Sequence, residues 1–307
     1  MALGPAIINA ADSPRRRPRL AAITMVRDEA AMLPRWVAHY TRQCGGDPEA
    51  LLVIDDNSTD GSTRDLPCPV IRIPAETKRR RFERSRMEMV SNLAAGLLAV
   101  YDAVVFSDAD EFVVADPARY PTLEHFLAER DGKAFAAMAL NVVHNPDVEA
   151  PLDPDLPILQ QRSLAKFVPW MCKPSLKRTS APWVRASHGL KAPFSIDSDL
   201  YMFHAKFADL ETLRATAEGR RTVSETLKRA QQSSWVLGGN AMVRLVRRTT
   251  RAVDLESVQE FSPPDRARLD RIVVRESGLY HLRGLPQVKA MRRRPFVRVP
   301  ERFRDVV

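Results

Sequence analysis

Two aspartates, one residue apart, follow a short apolar segment in residues 106–112 (FSDADEF). Residues 103–106 predict a buried strand, which would place Asp108 and Asp110 in a loop at its carboxyl end. Carboxylates are hard oxygen ligands for Mg²⁺ or Mn²⁺, which proteins often hold through one or two carboxylates together with substrate phosphates. A solvated turn explains the same spacing, but acidic residues at neighbouring strand ends favour a metal site.

Two further acidic clusters follow predicted strands. Arg27, Asp28 and Glu29 come after the apolar segment 20–26, and residues 55–61 (DDNSTDG) come after segment 50–54. The second cluster also fits an Asx turn with a helix N-cap, although a carboxylate there is equally able to accept an N–H from a nucleobase. Because ligands bind outside the carboxyl ends of strands in open α/β sheets, three acidic ends predict a ligand site on one edge.

Short apolar strands alternate with amphipathic helices along the chain. This alternation predicts an α/β fold with a mainly parallel central sheet flanked by helices. Gly45 and Gly46 are expected to end the first helix. The predicted strands are residues 20–26, 50–54, 69–73, 103–106, 133–143 and 200–205, and the predicted helices are 31–43, 81–100, 209–232 and one beginning at 263.

Composition narrows the class of protein. The 307 residues, 45% of them hydrophobic, suit one large α/β domain, and the net charge is +9. Three separated cysteines, Cys44, Cys68 and Cys172, favour neither a disulfide framework nor a cysteine zinc site, so a reducing, cytoplasmic location is expected. No apolar run reaches the length of a membrane span. Residues 1–19 place apolar residues before a basic cluster, the reverse of a secretory signal, and predict a disordered arm.

Four strings together resemble a known family. They are residues 26–29 (VRDE), 36–40 (WVAHY), 53–62 (VIDDNSTDGS) and 106–113 (FSDADEFV). Their order resembles GT-A glycosyltransferases of family 2, and more narrowly the bacterial family 2-like branch related to family 92. The likeness covers residues 20–115 and extends more loosely to about 230 through residues 173–176 (KPSL) and 203–206 (FHAK).

The resemblance implies a GT-A domain over residues 20–285, with helical additions after residue 207. Its nucleotide-binding half would span residues 20–115 and its acceptor half residues 116–285. It also implies a nucleotide-sugar donor, a Mn²⁺ or Mg²⁺ ion, and inverting transfer to a glycan or lipid-linked acceptor. Carried over by position, the donor-binding residues are Arg27, Asp28, Glu29, Asp55, Asp56 and Asp108, and the metal site contains Asp110 with Asp108.

A basic stretch precedes the long predicted helix. Residues 78–81 (KRRR), with Arg84 and Arg86, form either a solvated basic face or a contact to the donor diphosphate, for which Arg86 is the main candidate. Arginine binds phosphate through two parallel hydrogen bonds, and the positive end of a helix dipole adds to the attraction.

Histidine and carboxylate candidates lie later in the chain. In metal-dependent GT-A enzymes a late histidine often completes the metal coordination, which points to His204, with His188 as the fallback. An inverting enzyme also needs a group that accepts the acceptor's proton. Many family 2 members use a Glu-Asp pair, which this chain lacks. The candidates for this base are Asp197, Asp199 and His188, with Glu149 a remote fourth.

Two other functions fit part of the sequence. A haloacid dehalogenase-type phosphohydrolase also has D-x-D after a strand, but it expects Thr or Val where Phe112 stands. A non-enzymatic basic protein that binds nucleic acid or membrane explains the charge but leaves the acidic loops without a role, so no nucleic-acid partner is expected.

The C-terminal segment, residues 286–307, carries seven basic and two acidic residues interleaved with Phe296 and Phe303. It is expected to be a solvated tail, a peripheral contact with the inner face of an anionic membrane, or a segment packed on the domain.

Overall fold

Four parallel strands form the N-terminal half of the central sheet in this computed structural model, which describes residues 16–73, 82–226, 238–251 and 253–307. All seven residues of the first strand are buried, as expected for a strand covered on both faces. These strands are β1 (Leu20–Val26), β2 (Leu51–Asp55), β3 (Val70–Arg72) and β4 (Ala103–Phe106), in the spatial order β4-β1-β2-β3.

Helices connect these strands as the sequence predicts. Helix α1 (Leu33–Gln43) starts with proline in its first turn and is followed by Gly45 and Gly46, both at positive φ. Helix α2 (Phe82–Leu97) leads into β4. The predicted basic run 78–81, the disordered arm up to residue 15 and the end of the predicted helix 209–232 lie outside the described residues.

Antiparallel pairing completes the other half of the sheet. The predicted α/β architecture, a sheet flanked by helices, is confirmed. Among the described strands of this half, the sixth and eleventh pair in parallel, and the other strand pairs are antiparallel. The elements are β5 (Glu111–Ala115), α3 (Leu123–Ala128), β6 (Ala134–Val143), α4 (Ile158–Gln161), β7 (Leu164–Phe167), β8 (Leu176–Lys177), β9 (Trp183–Val184), β10 (Gly189–Leu190) and β11 (Ser195–Phe207).

A second, four-stranded sheet was not predicted. It has the order β12-β13-β10-β9, in which β12 (Val273–Glu276) and β13 (Leu279–Leu282) form a hairpin. Strands β9 and β10 contain two residues each, too few to show an alternating pattern in the sequence. Helices α5 (Leu210–Thr226), α6 (Gly239–Thr250) and α7 (Arg266–Asp270) provide the predicted C-terminal additions. No helix in the described residues is long and apolar enough to span a bilayer.

The segment 286–307 packs on the domain. It forms helix α8 (Gln287–Arg293) and strand β14 (Val297–Arg298), which pairs with β7. The Phe303 ring is fully buried, with ring centroids 4.5 Å from Tyr201 and 5.1 Å from Phe203. Of the three possibilities for residues 286–307, the structure shows packing on the domain. A contact of this segment with a membrane stays a prediction.

Replacing Phe303 with alanine tests this packing. Because the ring is fully buried, Phe303→Ala should lower the free energy of unfolding by about 3–5 kcal/mol, as for other large aromatic truncations. The neighbouring exposed Arg304 provides the control, and Arg304→Ala should change the same quantity by less than about 0.5 kcal/mol. Urea unfolding followed by circular dichroism measures both, and equal losses would show that the segment does not contribute to the core.

Candidate functional site

Carboxylates join the loops that follow β1 and β2. Asp28, which has a positive φ of 53°, accepts hydrogen bonds from the backbone N–H groups of Thr59 (2.6 Å) and Asp60 (3.2 Å). In return, the Asp60 carboxylate accepts the backbone N–H of Ala30 at 3.0 Å. The two loops therefore form one unit at the carboxyl edge of the parallel strands, where the sequence predicted a ligand site.

Asp55 and Asp56 end the second strand of that edge. Asp55 is almost fully buried and accepts hydrogen bonds from the backbone of Ser58 (2.7 Å) and the hydroxyl of Thr63 (2.9 Å). These bonds are those of a turn capped by an aspartate side chain, the alternative that the sequence analysis gave for this cluster. Asp55 therefore stabilises the loop after β2. Asp56 is also buried, and its backbone N–H donates to the Val26 carbonyl at 2.8 Å.

Three ring side chains of α1 hold the segment that connects β4 to β5. The Trp36 indole N–H donates to the Ser107 hydroxyl at 2.9 Å, and the Tyr40 hydroxyl accepts the Val113 N–H at 3.0 Å. The His39 imidazole donates to the Val113 carbonyl at 3.0 Å, and burial lowers the pKa of this histidine to about 4, so the ring is neutral. The WVAHY string therefore fixes both ends of the D-x-D segment.

Asp110, Glu111 and His204 form a buried cluster able to hold a metal ion. One ligand atom from each lies within 4.8 Å of the others, and His204 Nε2 is 3.3 Å from an Asp110 oxygen. The antiparallel pairing of β5 with β11 places His204 opposite Glu111, so strand register assembles the group. Two carboxylates and an imidazole are a suitable donor set for Mn²⁺, Mg²⁺ or another divalent ion. The sequence reasoning missed Glu111, although it directly follows Asp110.

Asp108, predicted as a donor and metal residue, is held by two cations. Its two oxygens accept hydrogen bonds from Arg86 and from Lys173 Nζ, the latter at 3.1 Å. Lys173 also pairs with Glu111 at 2.6 Å. Burial alone would raise the pKa of Asp108, but the Arg86 and Lys173 charges hold it well below its usual range. The structure therefore places Asp108 beside the three-residue cluster and adds Lys173, whose role the sequence did not predict.

His188 lies near these groups on a strained turn. Its Nδ1 is 2.7 Å from the Trp170 carbonyl, and its ring stacks on the Trp170 indole. Burial, followed by the nearby Lys173 charge, lowers its pKa to about 3, so this ring is neutral. The three preceding residues, Arg185, Ala186 and Ser187, all have positive φ, an arrangement that costs energy in non-glycine residues and is commonest at functional sites.

The predicted bases Asp197 and Asp199 are not brought to the cluster. Asp197 pairs with Arg130 at 3.1 Å, and Asp199 pairs with both Arg130 and Arg119. Strand β11 has an irregularity between Asp197 and Tyr201, and His204 lies beyond it, opposite Asn141 of β6. Arginines therefore compensate both charges, and a role as the base stays a prediction for either residue.

The remaining predicted residues have separate roles. The Glu149 carboxylate accepts the backbone N–H groups of Asn145 (2.8 Å) and Ser163 (3.2 Å), which stabilises a loop. Arg27 is exposed at the end of β1. The backbone carbonyl of Glu29 accepts two N–H groups at the start of α1, and Glu29 also borders a pocket next to the cluster.

That pocket lies between the cluster and helices α5 and α6. Charged groups border it, namely Glu29, Asp110 and Lys206, while Leu213 and Met242 supply apolar surface. Asp110 is therefore shared between the cluster and the lining of this pocket.

Comparisons with known proteins do not assign this chain to a family. No protein-family model and no curated protein matches the chain. A solved mannosyltransferase, PcManGT from Pyrobaculum calidifontis in complex with GDP-Man and Mn²⁺, is 19% identical over 43% of this chain and 38% of its own, with a TM-score of 0.29. The mannosyltransferase Ktr4p from S. cerevisiae, in complex with GDP, is 12% identical over 44% and 43%, with a TM-score of 0.25. The chain thus covers less than half of these structures, at TM-scores that do not establish a shared fold.

Replacing Lys173 with methionine tests the charge balance of the site. Lys173→Met leaves the buried Glu111 and Asp108 without this cation, so the free energy of unfolding at pH 7 should fall by about 3–5 kcal/mol. Since Asp108 has a lowered pKa in the folded protein, its stabilising contribution is present above its ordinary pKa and is lost as the pH falls through the lowered value.

The difference between Lys173→Met and the wild type should therefore persist from pH 7 down to about 4, the ordinary pKa of an aspartate, and shrink at lower pH, where protonated Asp108 no longer needs the cation. Chemical unfolding at a series of pH values measures it. A pH-independent difference would mean that Lys173 acts only through its packing.

Proposed function

We propose that the protein is a metal-dependent glycosyltransferase of the GT-A type, which moves a sugar with inversion from a nucleotide-sugar donor to a glycan or lipid-linked acceptor. One observation carries the proposal: the Asp110–Glu111–His204 cluster adjoins the Arg86–Lys173 cation pair at the edge where the β1 and β2 loops meet. A site for a divalent cation beside a site for an anion is what a nucleoside diphosphate–metal complex requires.

Asp110, Glu111 and His204 would hold the metal, for which Mn²⁺ and Mg²⁺ are the candidates. When bound, the ion would neutralise the negative charge that grows on the leaving nucleoside diphosphate. Burial raises the pKa of Glu111, and the Lys173 charge opposes this shift and favours the carboxylate form.

Arg86 and Lys173 are the proposed diphosphate-binding residues. Both side chains are largely buried, and both point at the partly exposed carboxylate of Asp108. Two converging cations that already bind one carboxylate are placed to bind phosphate oxygens as well. Asp28, Asp55 and Asp56 shape the adjoining loops, where the nucleoside would lie.

His188 is the proposed proton acceptor. Burial lowers the pKa of His188 most, and the nearby Lys173 charge lowers it further, which indicates that the imidazole lies close to the charged site. In the neutral ring, an N–H at Nδ1 donated to the Trp170 carbonyl leaves Nε2 with a lone pair. The acceptor hydroxyl would give its proton to this nitrogen as it attacks the sugar.

A screen of nucleotide sugars tests the proposal. Binding of UDP-, GDP- and other nucleotide sugars is measured by calorimetry with Mn²⁺, with Mg²⁺ and with a chelator. At least one donor should bind only with a metal, and Asp110→Asn should abolish that binding because it removes a charged ligand from the cluster. Asp197→Asn, at the far end of β11, is the matched control and should bind as the wild type does. If no donor binds with either metal, the proposal fails.

His188→Ala should lower kcat by about 100-fold or more, because general-base catalysis contributes at least this much. The Mn²⁺ affinity should stay unchanged, since His188 lies outside the metal cluster. Initial-rate kinetics with the donor and acceptor identified above, together with a Mn²⁺ titration, separate the two effects. A loss of Mn²⁺ affinity with unchanged kcat would instead make His188 a metal ligand.

A further inference from the structure

Two side-chain amides compete for one nitrogen of His204. Nδ1 lies 3.0 Å from the Asn141 side-chain oxygen and 2.7 Å from the Gln287 side-chain nitrogen, while Nε2 faces Asp110 at 3.3 Å. A neutral imidazole carries a single N–H, on either Nδ1 or Nε2. Asn141 and Gln287 therefore make opposite demands on the same ring, since one offers an acceptor to Nδ1 and the other a donor.

Lys206 fixes the direction of the Gln287 amide. Its Nζ donates to the Gln287 oxygen at 3.0 Å, and an ammonium group has no acceptor, so the amide cannot turn round and keep this bond. The NH₂ end must then face His204, and Nδ1 accepts from it. In that tautomer the imidazole proton is on Nε2, where it is donated to Asp110, and Nε2 has no lone pair for a metal.

Asn141 favours the other tautomer. It lies on β6 directly opposite His204, is fully buried, and its side-chain nitrogen has no hydrogen-bond partner. Its oxygen receives a hydrogen bond from the ring only when the proton is on Nδ1. That tautomer turns the Nε2 lone pair towards Asp110 and Glu111, and metal-binding histidines usually donate their second N–H to such an oxygen.

We propose that Asn141 and Gln287 are opposed positioning residues that set the tautomer of His204 and thereby the metal affinity of the site. The inference rests on the metal cluster of the proposed function. A neutral ring that offered its Nε2 lone pair to a metal would carry its single proton on Nδ1. The Gln287 N–H···Nδ1 bond breaks, and an Nδ1–H bond to the Asn141 oxygen replaces it.

Gln287 is the first residue of α8, so the proposal links the C-terminal segment to the cluster. This segment is distant in sequence from Asp110 and His204 and contributes no carboxylate or imidazole to the group. Movement of α8 away from β11 would release Nδ1 and favour the metal-binding tautomer. In the docked position seen here, the Gln287 N–H would favour the tautomer that does not bind a metal.

Three substitutions test the opposed roles through Mn²⁺ affinity, measured by electron paramagnetic resonance. Gln287→Met removes the competing donor without adding charge and should tighten binding several-fold. Gln287→Glu replaces it with an acceptor that also pairs with Lys206, and should tighten binding by about 10-fold or more. Asn141→Leu removes the supporting oxygen and should weaken binding by about 10-fold. Lys289→Met, on an exposed position of α8, is the control and should change nothing.

The tautomer itself is measured in the metal-free protein by the ¹⁵N shifts of the imidazole, assigned by their loss in His204→Gln. The wild type should carry its proton on Nε2, and Gln287→Glu should carry it on Nδ1. The same tautomer in both proteins, or weaker Mn²⁺ binding in the Gln287 variants, overturns the inference. Mn²⁺ binding without any nucleotide-sugar binding would contradict only the proposed function. If neither the wild type nor the Gln287 variants bind Mn²⁺, both the metal site and the inference are wrong.

Discussion

Three carboxylates within four consecutive positions impose the main constraint on this structure. Asp108, Asp110 and Glu111 occupy a largely buried turn, where like charges repel strongly and each ion has lost solvation. The turn is stable only if cations and hydrogen-bond donors reach it from elsewhere. Helix α2 supplies Arg86, the segment before β8 supplies Lys173 and strand β11 supplies His204, so the constraint ties distant parts of the chain to one point.

The three carboxylates differ in how their negative charges are compensated. Asp108 pairs with both Arg86 and Lys173, Glu111 pairs with Lys173, and Asp110 lies beside the His204 imidazole. Arg86 and Lys173 against three carboxylates leave this group with one net negative charge. A divalent ion would reverse the sign, which would make the same edge attractive to a diphosphate in the proposed reaction.

Rigid elements hold this charged turn in position. Trp36, His39 and Tyr40 of α1 hydrogen-bond to the β4–β5 segment, and the pairing of β5 with β11 fixes its other side. The small second sheet holds the strained turn before His188, since the Leu282 N–H donates to the His188 carbonyl. A site supported in this way needs little rearrangement to bind charged ligands, which is the usual condition for electrostatic catalysis.

The sequence alone determined the elements and the edge on which the site lies. Apolar periodicity is local, so β1, β2, β4, β6 and their helices were predictable, and acidic residues after parallel strands must meet at one edge. The tertiary structure decided which side chains form the cluster. Glu111, Lys173 and the Asn141–Gln287 pair at His204 depend on strand register and on contacts between segments far apart in sequence, to which no local pattern corresponds. The ion pairs of Asp197 and Asp199 with Arg130 also join segments that are far apart in sequence. Their positions could therefore be read only from the folded chain.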